Sequence, residues 1–69
     1  MKQYKPKNII IFLENHWWEQ DHITGSHVIM YHSISKKRTT VPLHKKDIPV
    51  GTLLAILKQT GLTKEDLGK

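Results

Sequence analysis

The chain contains no cysteine and no long apolar run. Without cysteine, neither disulfides nor thiolate zinc sites can hold the fold together, and nothing indicates an oxidising compartment. The apolar run after the N-terminus, residues 9–13, is far shorter than a signal-peptide core or a membrane span. These absences predict a cytoplasmic protein that has no membrane partner and depends on apolar packing for its stability.

Repeats, low-complexity tracts and Gly/Ser linkers are absent as well. The length of 69 residues allows one domain with a modest core, because so short a chain buries only about 60% of the surface that it exposes when unfolded. We therefore predict a single domain over residues 1–69. A hydrolase architecture for Ser-His-Asp catalysis does not fit in this length, and no Gly-rich phosphate loop indicates a nucleotide cofactor.

Acidic residues are few: six Asp and Glu stand against eleven Lys and Arg, which leaves a net charge of +5. On so small a protein, this excess produces a positive field that attracts polyanions. Nucleic acid or an acidic protein is therefore the expected partner, although a charge of this size also serves solubility.

Apolar spacing predicts a helix near each end of the chain. From Pro6 to about Asn15, the apolar residues form one helical stripe, although the β-branched run at residues 9–11 fits a strand equally well. From Pro49 to Thr60, apolar residues recur at helical spacing, with Asp47 as the predicted N-terminal cap and Gly61 as a left-handed C-terminal cap. A further helical turn is predicted after this helix, capped by Thr63 and returning Leu67 to the domain.

Three strands are predicted between the two helices. Trp17 to Ile23 and His27 to Ile34 are joined by the short link Thr24-Gly25-Ser26, which is typical of a hairpin. After a basic turn at residues 35–38, Thr39 to Val41 forms a third strand that Pro42 ends. The result is an α+β fold of order α-β-β-β-α, in which a three-stranded antiparallel sheet carries both helices on one face and leaves the other open for a partner.

Five histidines require sorting, because histidine can both donate and accept a proton near neutral pH. His27 follows Gly25-Ser26 at the start of a predicted strand, where glycine allows close approach and Ser26 can bond an imidazole or a phosphate. This position favours a functional His27, although most strand histidines have no chemical role. We interpret His16, His22 and His32 as structural or surface residues. Of these three, His32 is the best placed to touch RNA.

A metal site is the rival use of several histidines. No helical His-x-x-x-His pair, no cysteine and no compact set of carboxylates accompanies them in the sequence, so we expect no bound metal.

Two basic clusters are candidate phosphate contacts, although short charge runs are also common on solvated loops. Lys36, Lys37 and Arg38 form the predicted turn between strands, and Lys45-Lys46 precedes the second helix, whose N-terminus adds positive character. His44 lies beside the second cluster and is interpreted as part of the same phosphate-contacting loop. The adjacent Trp17 and Trp18 point to opposite sides of an extended chain, so one is expected in the core and the other at the surface.

Three segments together resemble the HicA toxin family: Gly25-Ser26-His27, Val41-Pro42-Leu43-His44 and residues 49–62. The resemblance implies a double-stranded-RNA-binding-like fold and a ribosome-independent mRNA endonuclease that is neutralised by a HicB-type antitoxin. It also implies that His27 is the catalytic histidine. One departure is that many members place a second histidine after the first, whereas this chain has Val28.

RNA supplies its own nucleophile in the 2′-OH, so a protein needs only to position the strand, move protons and stabilise the phosphate. We therefore expect metal-independent and cofactor-free cleavage with His27 as general base or acid, Ser26 as an orienting group, and nearby Lys and Arg side chains as phosphate contacts. The main alternative is a non-catalytic RNA-binding module of the same fold. A second alternative is a structural partner protein that assembles through its tryptophans.

Overall fold

Six helices and strands follow one another in the computed structural model, which describes residues 3–68. They confirm the predicted α-β-β-β-α order and the further helical turn after it. Their bounds are α1 Pro6–Glu14, β1 Trp18–Thr24, β2 His27–His32, β3 Lys37–Pro42, α2 Val50–Thr60 and α3 Lys64–Leu67.

The first apolar segment is a helix and not a strand. Pro6 occupies the first turn of α1, where no backbone donor is needed, and buries its ring together with Ile9 and Leu13. The helix ends before Trp17, whose φ of 73° turns the chain into β1 and leaves the indole 77% exposed. Trp18 is buried, so the predicted division of the tryptophan pair between core and surface is confirmed.

The strands form one antiparallel sheet of order β1-β2-β3. Thr24 pairs with His27 across the two-residue turn Gly25-Ser26, and Gly25 has the positive φ of 55° that such turns require. This tighter turn extends β1 to Thr24, one residue beyond its predicted end at Ile23.

The boundary between β2 and β3 differs from the prediction. β2 ends at His32 instead of Ile34, and β3 begins at Lys37 instead of Thr39, so Lys37 and Arg38 are strand residues. The reason is a tight turn that the Lys36 amide closes on the His32 carbonyl oxygen at 2.7 Å. Lys36 adopts a left-handed φ of 58° in that turn, which leaves Ile34 exposed.

The core lies between one face of the sheet and the helices. β2 and β3 contribute Val28, Met30 and Val41, and the buried Thr39 hydroxyl donates a hydrogen bond of 2.6 Å to Gln59 Oε1 of α2. The helices and the loop before α2 complete the core with Ile9, Leu13, Ile48, Leu53, Ile56 and Leu57. His27, Ile29 and Tyr31 alternate with the core residues and lie on the more exposed face.

The ends of the C-terminal helices agree with the prediction except at Asp47. The N-terminal cap of α2 is Pro49, which makes no side-chain capping bond, so the prediction that Asp47 caps this helix is wrong. The Asp47 carboxylate instead pairs with Lys5 Nζ at 2.9 Å. Gly61 ends α2 with a φ of 77°, and Thr63 caps α3, whose Leu67 packs against the core as predicted.

Among residues 3–68, no helix has the length and apolar character needed to cross a bilayer.

Gly51 within α2 and Gly61 at its C-terminal cap make a matched test of backbone conformation, because a Cβ added at either meets no atom within 4 Å. Gly61→Ala forces a side chain into the left-handed region and should lower the free energy of unfolding by about 1 kcal/mol. Gly51 has a helical backbone conformation, so Gly51→Ala should raise the free energy of unfolding by roughly 0.5 kcal/mol. Urea unfolding of both variants measures the difference, and equal effects of the two would contradict the assigned backbone.

Met30 tests the assignment of the core face, because its side chain is 0% exposed. Met30→Ala should lower the free energy of unfolding by about 2–5 kcal/mol, since it removes buried apolar atoms and leaves a cavity. Ile34→Ala, at a side chain that is 81% exposed, should change it by less than about 0.5 kcal/mol. Thermal unfolding of the two variants makes the comparison.

Candidate active site

A cleft of about 570 Å³ opens between the end of β3, one side of α2 and the loop at residues 43–49. Its walls combine imidazole, lysine and hydroxyl groups with small and apolar side chains. The polar and charged residues that line it are His27, Thr40, His44, Lys46, Asp47, Thr52 and Gln59.

Strand pairing brings His27 and His44 together. His27 lies opposite Pro42 at the end of the β2–β3 ladder, and the Leu43 amide then donates a hydrogen bond to the Ser26 carbonyl oxygen. His44 is therefore held beside the turn that carries His27. The centroids of the two imidazoles are 6.5 Å apart, with an angle of 67° between the ring planes.

The other histidines have their Nδ1 atoms engaged elsewhere. His16 Nδ1 donates to the Phe12 carbonyl oxygen at 2.9 Å, and His22 Nδ1 lies 2.7 Å from Asp21 Oδ2. His32 Nδ1 accepts from the backbone amide and the hydroxyl of Ser35, and its ring packs against Trp18.

These contacts account for His16, His22 and His32 as structural or surface residues. Among the histidines, only His27 and His44 have imidazoles that form no hydrogen bond within residues 3–68. The two imidazoles that have no hydrogen-bond partner therefore share one cleft.

A second, shallower depression adjoins the cleft at His44 and Pro6, which line both. Lys5, Lys7 and Lys45 surround it. Lys5 Nζ donates to the Lys45 carbonyl oxygen at 3.4 Å and pairs with Asp47, so the start of α1 is attached to the loop that carries His44. A chain of phosphates lying across His44 would meet positive charge on both sides.

The predicted site residues divide into two groups. His27, His44 and Lys46 share the cleft, Lys45 borders the adjoining depression, and Ser26 lies in the exposed turn beside His27.

The second group, Lys36, Lys37 and Arg38, lies at the opposite end of the β2–β3 ladder, where His32 pairs with Lys37. At about 3.4 Å per residue, Lys37 is five steps or about 17 Å from His27 along the ladder, and Arg38 is four steps or about 14 Å. Arg38 holds its guanidinium 4.6 Å from the centre of the Tyr31 ring. The first basic cluster therefore does not reach a phosphate that contacts His27.

The wall that α2 contributes to the cleft was not predicted from the sequence. Gly51, Thr52, Ala55 and Gln59 line the cleft, on the side of the helix opposite to the buried Leu53 and Leu57. The signal was present as a stripe of small and polar residues at helical spacing, 51-55-59. Small side chains there leave room for a ligand beside the two imidazoles.

The arrangement is suited to proton transfer at an anionic group. It places two imidazoles and one lysine ammonium around a space large enough for a phosphodiester, with the hydroxyls of Thr40 and Thr52 nearby. Among residues 3–68, no group of three or more His, Cys, Asp or Glu side chains is placed to hold a metal ion.

Comparison with known families gives one result that covers most of the chain. The family model described as HicA toxin of bacterial toxin-antitoxin matches residues 6–62. This range contains every residue that lines the cleft. A search of curated proteins found no match.

Proposed function

The chain belongs to the HicA toxin family of bacterial toxin-antitoxin systems. On that premise, we propose that it is a metal-independent endoribonuclease that cleaves mRNA with His27 as a catalytic residue. The observation that carries this proposal is the cleft itself. His27 is exposed at the cleft wall, its imidazole is free of hydrogen bonds within the described chain, and Lys46 supplies positive charge beside it.

The proposed reaction needs little from the protein. The RNA 2′-OH attacks the neighbouring phosphorus, so the site must align the strand, move protons and stabilise the added negative charge. His27 acts as general base or general acid, and Lys46 stabilises the phosphate. Ser26, one residue before His27, positions the substrate at the turn. Because no bound nucleophile has to be generated, neither a metal ion nor a cofactor is needed.

The remaining basic residues are proposed as contacts to the rest of the strand. Lys45, in the depression beside His44, is placed for the phosphate next to the one that is cleaved. Lys36, Lys37 and Arg38 lie at least about 14 Å from His27 along the ladder, so they would contact a distant stretch of RNA and not the reacting phosphate.

The partner proposed for the toxin is a HicB-type antitoxin. An antitoxin that covers His27 and His44 would block both access of the RNA and proton transfer, because both imidazoles lie at the mouth of one cleft. The protein's net charge of +5 would attract an acidic partner surface.

His27→Ala should lower the rate of RNA cleavage by about 10²- to 10⁴-fold, because one proton-transfer group is lost. The measurement is single-turnover cleavage of a long single-stranded RNA in the presence of a chelator. RNA binding should be retained, since the cleft lysine remains.

His22→Ala is the matched control, because His22 is an exposed histidine outside the cleft. This variant should cleave RNA at the parental rate. Equal cleavage by the parent and His27→Ala, or binding without cleavage by the parent, would replace the proposal with a non-catalytic RNA-binding module.

Lys46→Ala tests whether the cleft lysine contacts phosphate. It should weaken RNA binding at all sequences and reduce the slope of log affinity against log salt by roughly 0.7, the value for one contact to a single strand. Lys58→Ala removes the same charge from an exposed position on α2 outside the cleft. A salt slope that changes equally in both variants would show an effect of net charge and not of a local contact.

A further inference from the structure

Building on the proposed ribonuclease function, we infer that His44 is a second catalytic residue, which shares with His27 the two proton transfers of RNA cleavage. The two imidazole centroids are 6.5 Å apart in one cleft. Since a hydrogen bond spans about 2.8 Å, two oxygens of one phosphate group that lies beside this ring pair are within reach of both imidazoles. The separation is too long for the rings to bond to each other.

The backbone on both sides of His44 is held in place. The Leu43 amide donates to the Ser26 carbonyl oxygen, and the Lys45 carbonyl oxygen accepts from Lys5 Nζ at 3.4 Å. The imidazole between these anchors is exposed and, within residues 3–68, makes no hydrogen bond of its own. A side chain that is positioned by its backbone but has no hydrogen-bond partner is suited to act on a bound substrate.

Positive charge alone does not explain an imidazole at this position. Lys46 already places a positive charge in the cleft, and Lys45 borders the adjoining depression. Imidazole differs from these lysines because it can be neutral or protonated near neutral pH, so it can accept a proton or donate one. The pair therefore supplies both partners that the reaction needs.

In the first step, a neutral imidazole takes the proton of the 2′-OH while the 2′-oxygen forms a bond to phosphorus. The bond from phosphorus to the 5′-oxygen breaks, and the protonated imidazole gives its proton to that oxygen. The products are a 2′,3′-cyclic phosphate and a 5′-hydroxyl end. One proton is taken and one is given, so the step balances without a further reactant.

The test compares the parent, His27→Ala and His44→Ala on two RNA oligonucleotides that share one site cleaved by the parent. The first has its normal 5′-oxygen at that site, and the second has sulfur in place of this oxygen. A thiol is far more acidic than an alcohol, so the sulfur leaves without a proton donor. Single-turnover rates are measured with a chelator present.

Both variants should be slower than the parent on the oxygen substrate by at least about 10²-fold. On the sulfur substrate, one variant should return to within about tenfold of the parent, and the other should remain slow. The restored variant then lacks the general acid, and the slow one lacks the general base. Restoration of both variants, or of neither, would overturn the inference.

His44→Gln separates proton transfer from binding, because glutamine can hydrogen-bond to a phosphate but cannot carry the proton. It should be as slow as His44→Ala at saturating protein. A parental maximal rate with weakened RNA binding, in either variant, would show that His44 only binds. His44 is exposed, so both variants should unfold at the parental temperature.

Failure of this inference differs from failure of the proposed function. Cleavage that is lost in His27→Ala but kept in His44→Ala would leave a ribonuclease with a single catalytic histidine. No cleavage of either substrate by the parent would overturn both.

Discussion

β2 pairs with β3 so that Val28 lies opposite Val41 and His27 opposite Pro42, and this register determines both the core and the cleft. Side chains alternate across a strand, so a slip of one residue would turn His27 toward the helices and Val28 toward solvent. The same pairing brings Leu43 to Ser26 and thereby sets His44 beside the hairpin turn. The apolar contacts that stabilise the sheet thus also hold the two imidazoles in place.

Much of the fold follows from local rules that the sequence displays. Gly61 ends α2 because a left-handed residue suits glycine, and Thr63 begins α3 because its hydroxyl can cap the helix. One error arises where a residue distant in sequence determines the local structure, and another where a turn adopts an uncommon backbone conformation. Asp47 precedes α2 at a position typical of a cap, but Lys5, remote in sequence, pairs with it instead. The end of β2 was missed because Lys36 adopts a left-handed conformation that is uncommon outside glycine.

The site was predictable to a similar extent. A histidine after Gly-Ser at a strand start indicated His27, and the short spacing from Pro42 to His44 placed a second imidazole in a loop. Their proximity depends on strand register, which periodicity alone does not provide. For the same reason, the basic cluster at residues 36–38 was expected near the reacting phosphate, although antiparallel pairing carries it to the far end of the ladder.

Asp47 places a negative charge in the wall of the cleft, and Lys5 partly neutralises it. The Asp47 carboxylate in the cleft wall would repel a phosphate, and Asp47 directly follows Lys46, which would attract that phosphate. Because Lys5 Nζ is 2.9 Å from Asp47 Oδ1, the carboxylate's charge is offset from the side of α1. The pair is exposed enough to add little to stability. Its larger effect is on the electrostatic field in the cleft, to which Lys46 then makes the main charged contribution beside the two imidazoles. Lys5 also holds the loop that carries His44.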